Sequence, residues 1–105
     1  MSEDRREKLV KTLKALANPI RLSMIASLAE EPKHAYALAK ELGLSYPLAH
    51  LHLKGLRKME LVQEIEEERR AEGLPTVKTY APAQFELVLT PESIRDIFAE
   101  KKEDE

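Results

Sequence analysis

The chain has 105 residues, 43% hydrophobic and 34% charged, with 17 lysines and arginines against 19 acids and no cysteine. That length suits one domain with a modest core, and the apolar content sets the chain apart from disordered sequences. The lack of cysteine excludes disulfide staples and thiolate metal sites; no run approaches the ~18 apolar residues of a membrane span and Met1-Ser2-Glu3-Asp4 is no signal peptide, so a cytoplasmic protein without a membrane partner is expected.

Asp4 offers a cap for a first helix over about 4–17, with Leu9, Val10, Leu13, Leu16 and Ala17 at helical spacing on a charged background. Asn18-Pro19 is a cap followed by a proline where no intrahelical N–H is needed, and it starts a second helix. Ile20, Leu22, Met24, Ile25, Leu28 and Ala29 make that helix apolar on most sides, which predicts a central position; Glu30-Glu31-Pro32 ends it. A third helix runs from about His34 to Leu42, with Ala35, Leu38, Ala39 and Leu42 inward. Gly43 supplies the left-handed residue that closes it. Ser45 then caps a fourth helix, about Tyr46 to Met59, with Pro47 in its first turn.

Beyond the fourth helix, Leu61 to Glu66 alternates apolar and polar residues in the manner of a half-buried strand. Glu67 to Pro75 reads as a charged loop. Val77 to Tyr80 and Phe85 to Leu89 are strand-like again, separated by Ala81-Pro82-Ala83, where Pro82 cannot donate to a ladder and marks a bulge or an edge. Tyr80 and Phe85 are expected to pack on the core. Thr90-Pro91-Glu92-Ser93 starts a last helix over about 91–102, with Ile94, Ile97 and Phe98 as a narrow apolar stripe. The expected fold is α+β and mostly α: a winged helix-turn-helix of about five helices and a two-stranded β-hairpin. The helix-turn-helix spans about 34–59 and the wing about 61–89. The second helix of such a motif enters a DNA major groove.

The net charge of −2 does not by itself point to nucleic acid, but the charges are segregated. Residues 33–58 hold Lys33, Lys40, Lys54, Arg57 and Lys58 against Glu41 alone. Residues 59–76 hold six glutamates against Arg69 and Arg70. Such a chain binds an anion through one face despite its net sign. One asparagine and two glutamines amid abundant lysine and glutamate suggest a thermophilic source.

On the fourth helix a 100° step per residue places Ala49, Leu53 and Leu56 in a buried stripe. Pro47, Leu51, Lys54 and Lys58 then lie opposite, with Leu48, His50 and Gly55 on the flanks. Lys54, Arg57 and Lys58 are candidate phosphate contacts, although a solvated helix flank has the same composition. Ser45, Tyr46 and His50 stand near the helix entrance, within reach of bases or phosphates, and Ser45 also serves as a simple cap. His52 falls toward the buried side. Arg69 and Arg70 are candidates for a minor groove or for ordinary loop charge. The cluster Glu66, Glu67, Glu68 and Glu72 has no partner motif for acid–base or Mg²⁺ chemistry, and no nucleophile motif or Gly-rich phosphate loop suggests an enzyme.

The stretch ALANPIRLSMIASL resembles the second-helix signature "ALADPTRLRIL…L" of the ArsR-type winged-helix repressors. Residues Ala37 to Ser45, and then Ser45, Pro47, His52, Leu53, Lys54, Leu56, Leu61 and Val62, are similar to that family's ELAKELGLS and SxPxxxHHLKxLxxxGLV stretches. The resemblance covers roughly residues 9–90. It implies a homodimer that binds operator DNA and represses transcription, with the first and last helices as the dimerisation elements. Many members release DNA on sensing a ligand, commonly a metal. Here His34 and Tyr36 stand where metal-sensing members have cysteines, and Thr90 to Glu105 holds no histidine for the other metal class. His50 and His52, at i and i+2, do not face each other. Neither a metal nor any other cofactor is therefore expected.

Two further departures bear on recognition. Leu48 and Leu51 replace the polar residues usual in the family, and leucine touches a thymine methyl without reading donors and acceptors. The wing arginines sit beside Glu66, Glu67 and Glu68. A rival reading follows: a winged-helix protein–protein interaction module using Leu48 and Leu51 as an apolar patch. Leu51→Lys separates the two, since it preserves or raises DNA affinity in the first case and abolishes partner binding in the second.

Overall fold

A computed structural model of the chain describes residues 4–66 and 78–99. Helix α1 (Arg5–Leu16) starts where the Asp4 carboxylate accepts the Glu7 N–H at 2.9 Å. Helix α2 (Pro19–Glu30) starts where Asn18 Oδ1 accepts from Ile20 at 2.9 Å and Arg21 at 3.2 Å. Each cap satisfies donors that the first helical turn leaves without an intrahelical partner. Helices α3 (Ala35–Leu42) and α4 (Tyr46–Lys58) follow, then strands β1 (Val62–Glu66) and β2 (Lys78–Pro82), and helix α5 (Pro91–Ala99). Thr90 and Ser93 cap α5 reciprocally, each hydroxyl accepting the other's backbone N–H at 2.9–3.0 Å. The five helices and one antiparallel hairpin among the described residues are the expected winged helix-turn-helix.

The core gathers Met24 and Leu28 of α2, Leu38 of α3, and Leu53 and Leu56 of α4, all fully buried. Burying a side chain of this size stabilises by about 1.5–3 kcal/mol. Leu61, Val62 and Tyr80 close the core from the wing side. As its composition predicts, α2 is central, touching α1, α3, α4 and β2.

The hairpin runs antiparallel from Val62 opposite Pro82 to Glu66 opposite Lys78. Pro82 stands at the end of the ladder, consistent with its missing N–H. The outer edge of β2 is also paired: Lys33 donates its N–H to Tyr80 O at 3.1 Å and accepts from Tyr80 N at 2.8 Å. The turn between α2 and α3 is thus stitched to the wing, an arrangement with no signature in local sequence.

The structure departs from the sequence reading at several points. Phe85 to Leu89 is not a strand. Beyond Ala83, whose N–H still reaches Leu61 O at 3.0 Å, the chain finds no ladder partner among the described residues, and Phe85, expected on the core, is 40% exposed, with Leu87, Val88 and Leu89 exposed as well. In β1 the residues covered are Val62 and Glu64, whereas Ile65 is exposed. The inward site opposite Tyr80 belongs to a carboxylate because it has cations to meet. Of the apolar residues at helical spacing on α1, Leu9 is buried but Val10 is exposed, as is Ala17 just past the helix end. Lys33, counted with the positive stretch, is only 13% exposed and is spent on internal bonds. The charged loop from Glu67, with Glu68, Arg69, Arg70 and Glu72, lies outside the described residues, as does the end of the last helix beyond Ala99.

Candidate nucleic-acid interface

Helix α4 is aimed by the turn before it. Gly43 has φ +69°, and it closes α3 with Gly43 N–H to Lys40 O at 3.3 Å and Leu44 N–H to Ala39 O at 2.8 Å. Glycine takes this left-handed conformation without the Cβ penalty of other residues. Two residues on, Ser45 Oγ accepts the Leu48 N–H at 3.2 Å and opens α4. Ala49, Leu53 and Leu56 are completely buried, which fixes the rotation of α4 about its axis.

With that stripe buried, Ser45, Tyr46, Pro47, Leu48, His50, Leu51, Lys54 and Lys58 are all exposed. Leu51 is the most open of the described leucines at 62%. Tyr46 and His50, one turn apart, stack with ring centroids 5.7 Å apart. Neither Lys54 nor Lys58 has an ion-pair partner among the described residues. One helix therefore presents two cations unpaired among the described residues, a polar aromatic pair at its entrance and two leucines, all on its exposed side.

Arg57 behaves differently. Its guanidinium is 3.3 Å from Glu64 Oε1, and Glu64 also meets Lys78 at 3.4 Å and the Tyr80 hydroxyl at 3.3 Å. Burial, and then the Glu64 charge, push the Tyr80 phenol upward, so it stays a protonated donor to that carboxylate. Arg57 and Glu64 thereby brace the end of α4 against both wing strands. Arg69 and Arg70 lie outside the described residues.

Sequence reasoning missed Arg21. Its Nε donates to His52 Nδ1 at 3.1 Å, and its terminal nitrogens lie over Gly55, where a Cβ would meet one of them at 2.8 Å. The available signal was a glycine inside a helix, which local propensity disfavours and a close approach explains. His52 is packed, as its position on the helix predicts. No group of three or more potential metal ligands occurs among the described residues, and no described helix is long and apolar enough to cross a membrane.

Comparison with known proteins agrees with this geometry. Residues 18–64 match the family described as bacterial regulatory protein, arsR family. An uncharacterized HTH-type transcriptional regulator of Methanocaldococcus jannaschii is 37% identical over 90 residues, covering 86% of this chain and 92% of that protein. Among solved structures, the homodimeric winged helix-turn-helix DNA-binding domain of Mb0332 from Mycobacterium bovis, a possible ArsR-family transcriptional regulator, is similar. It superposes with a TM-score of 0.61 at 27% identity, covering 93% of this chain and 82% of that one. NolR from Sinorhizobium fredii gives 0.61 at 29% identity, with 90% and 81% covered. The chain belongs to the arsR family of winged helix-turn-helix, DNA-binding transcriptional regulators, which are not enzymes.

Proposed function

We propose that the protein acts as a homodimeric repressor, inserting the outward face of α4 from each subunit into successive major grooves of duplex DNA. The observation that carries this reading is the exposed face of α4, held in fixed rotation by three fully buried residues and bearing Lys54 and Lys58 without an ion-pair partner among the described residues. In this reading Lys54 and Lys58 contact phosphates and supply affinity. Ser45, Tyr46, Pro47, Leu48, His50 and Leu51 approach the bases, the leucines through thymine methyl groups. Arg57, tied to Glu64, serves to orient α4 on the wing. The role of Arg69 and Arg70 at a minor groove rests on sequence alone. Dimerisation through α1 and α5 is supported by their exposed apolar residues and by the similarity to the homodimeric Mycobacterium bovis domain. The interaction-module reading of Leu48 and Leu51 is not favoured, given the family to which the chain belongs.

Fluorescence anisotropy tests the proposal, with duplexes from upstream regions of the source genome and a random duplex compared at two salt concentrations. Salt-dependent binding that is tighter for some upstream fragment supports it. Equal binding to all duplexes replaces specific regulation with general DNA coating. A folded protein that binds no duplex at low salt refutes it.

A further inference from the structure

The DNA-facing helix lacks charge on one side, and a residue from another helix fills that side. Lys54 and Lys58 occupy the middle of the outward face of α4, and Arg57 lies on one flank. The other flank, going round at 100° per residue, holds Leu48, Leu51 and Gly55 and no charge of its own. Arg21 reaches that flank from the first turn of α2. Its Nε donates to His52 Nδ1 at 3.1 Å, and its terminal nitrogens rest on Gly55, where an added Cβ would come within 2.8 Å of one and 3.3 Å of the other.

Both neighbours look fitted to the guanidinium. Glycine at position 55 leaves a slot that even alanine would close. The His52 ring accepts from Arg21, which requires Nδ1 to be unprotonated and fixes the direction of the side chain. Arginine has five N–H donors in a planar fork, and among the described residues only Nε has a side-chain acceptor. No carboxylate pairs with it among the described residues. A partly exposed guanidinium, oriented and without a carboxylate partner among the described residues, beside an exposed helix face has the geometry for bidentate contact with a phosphate.

We propose that Arg21 is a phosphate-contacting residue of the DNA interface, oriented by His52 and admitted by Gly55. This rests on the reading of α4 as the DNA helix and adds a contact from α2 to it. An arginine that merely packs α2 on α4 affects stability; one that neutralises a phosphate also changes how binding responds to salt.

The test measures log K against log salt concentration by anisotropy, using a duplex bound by the wild-type protein, for wild type, Arg21→Gln, Gly55→Ala and Lys54→Gln. Each phosphate contact adds about 0.9 to the magnitude of the slope. Arg21→Gln is expected to lower it by about one per DNA-bound subunit and to weaken binding evenly across sequences. Gly55→Ala, which displaces the guanidinium while retaining it, is expected to lower the slope in the same direction. If Arg21→Gln fails to fold, Gly55→Ala decides alone. A wild-type slope in the folded Arg21→Gln protein, with a reduced slope in Lys54→Gln, overturns the role of Arg21 and leaves the α4 reading standing. A wild-type protein that binds no duplex removes both.

Discussion

Two of the described residues adopt the left-handed conformation, and only one of them is glycine. Gly43 at φ +69° ends α3; Glu60 at φ +62° ends α4. The hydrogen bonds are the same at both ends: Leu61 N–H reaches Leu56 O at 2.9 Å and Glu60 N–H reaches Arg57 O at 2.9 Å, repeating the pattern around Gly43. For an L-residue this conformation costs roughly 1–2 kcal/mol, partly offset by the smaller chain entropy that glutamate loses on folding. Glu60→Gly is therefore expected to stabilise the protein by about 0.5–1 kcal/mol, and Gly43→Ala to destabilise it by about 1 kcal/mol although nothing crowds the new methyl. Urea unfolding of the two variants checks both signs; a shift in the same direction for both would show that φ is not the cause. A second residue-scale expectation concerns His52. Burial, and then the Arg21 charge, hold its imidazole below the ordinary 6.5. As pH falls through that value the unfolded chain takes up a proton that the folded one resists. The contribution is thus complete above 6.5 and is lost as pH falls through the lower folded value. Between about pH 7.5 and 5.5 the wild-type Tm should drop further than that of His52→Gln, which does not titrate. Parallel Tm profiles would show that His52 carries no such linkage.

At the scale of elements, what holds the helix-turn-helix to the wing is the turn between α2 and α3. The Lys33 backbone pairs with β2 at Tyr80, while its ammonium donates to Ser27 Oγ at 2.6 Å and Ser27 O at 3.0 Å and lies 3.2 Å from Glu41. Ser27 in turn donates to both Glu41 oxygens at 2.9–3.0 Å. These bonds, first that from Ser27 and then that from Lys33, hold the Glu41 carboxyl below its usual value. Lys33→Met keeps the stem and removes the charge, so it is expected to cost about 2 kcal/mol, whereas Lys40→Met on the exposed side of α3 stays within about 0.5 kcal/mol. Equal urea midpoints for the two variants would deny the network its structural role. This element shows why some of the molecule was legible in sequence and some was not. Asp4, Asn18-Pro19, Gly43, Ser45-Pro47 and Thr90 through Ser93 announce helix ends because cap and capped donor lie within about four residues of each other. The inward stripe of α4 follows from helical periodicity alone. Lys33 with Glu41, Arg57 with Glu64, and Arg21 with His52 depend on tertiary approach, the last pair across 31 positions of sequence. The apolar run Phe85 to Leu89 has a strand's composition, but a strand also needs a neighbour to pair with.

For the whole molecule, the apolar surface that one chain leaves uncovered sets the question of assembly. Helix α5 has no buried residue, and Ile94 and Phe98 on it, like Val10 on α1 and Leu87 before α5, remain substantially exposed. Since each large apolar side chain gains about 1.5–3 kcal/mol on burial, this group supplies enough to drive association if a second copy covers it. Two-fold symmetry then places two α4 helices at a fixed separation and calls for a roughly palindromic site with half-sites about one turn, ~34–36 Å, apart. Phe98→Glu puts a charge in the apolar stripe of α5 without touching α4, so it is expected to yield a folded monomer in sedimentation at micromolar concentration. DNA binding by that monomer should show about half the salt slope of the wild type, because each subunit brings its own phosphate contacts. It should also lose dependence on half-site spacing, since a single α4 has no second groove to match. A Phe98→Glu protein that remains dimeric would move the interface away from α5. A wild-type protein that is itself monomeric would remove the palindrome argument, leaving each chain to bind DNA through one helix.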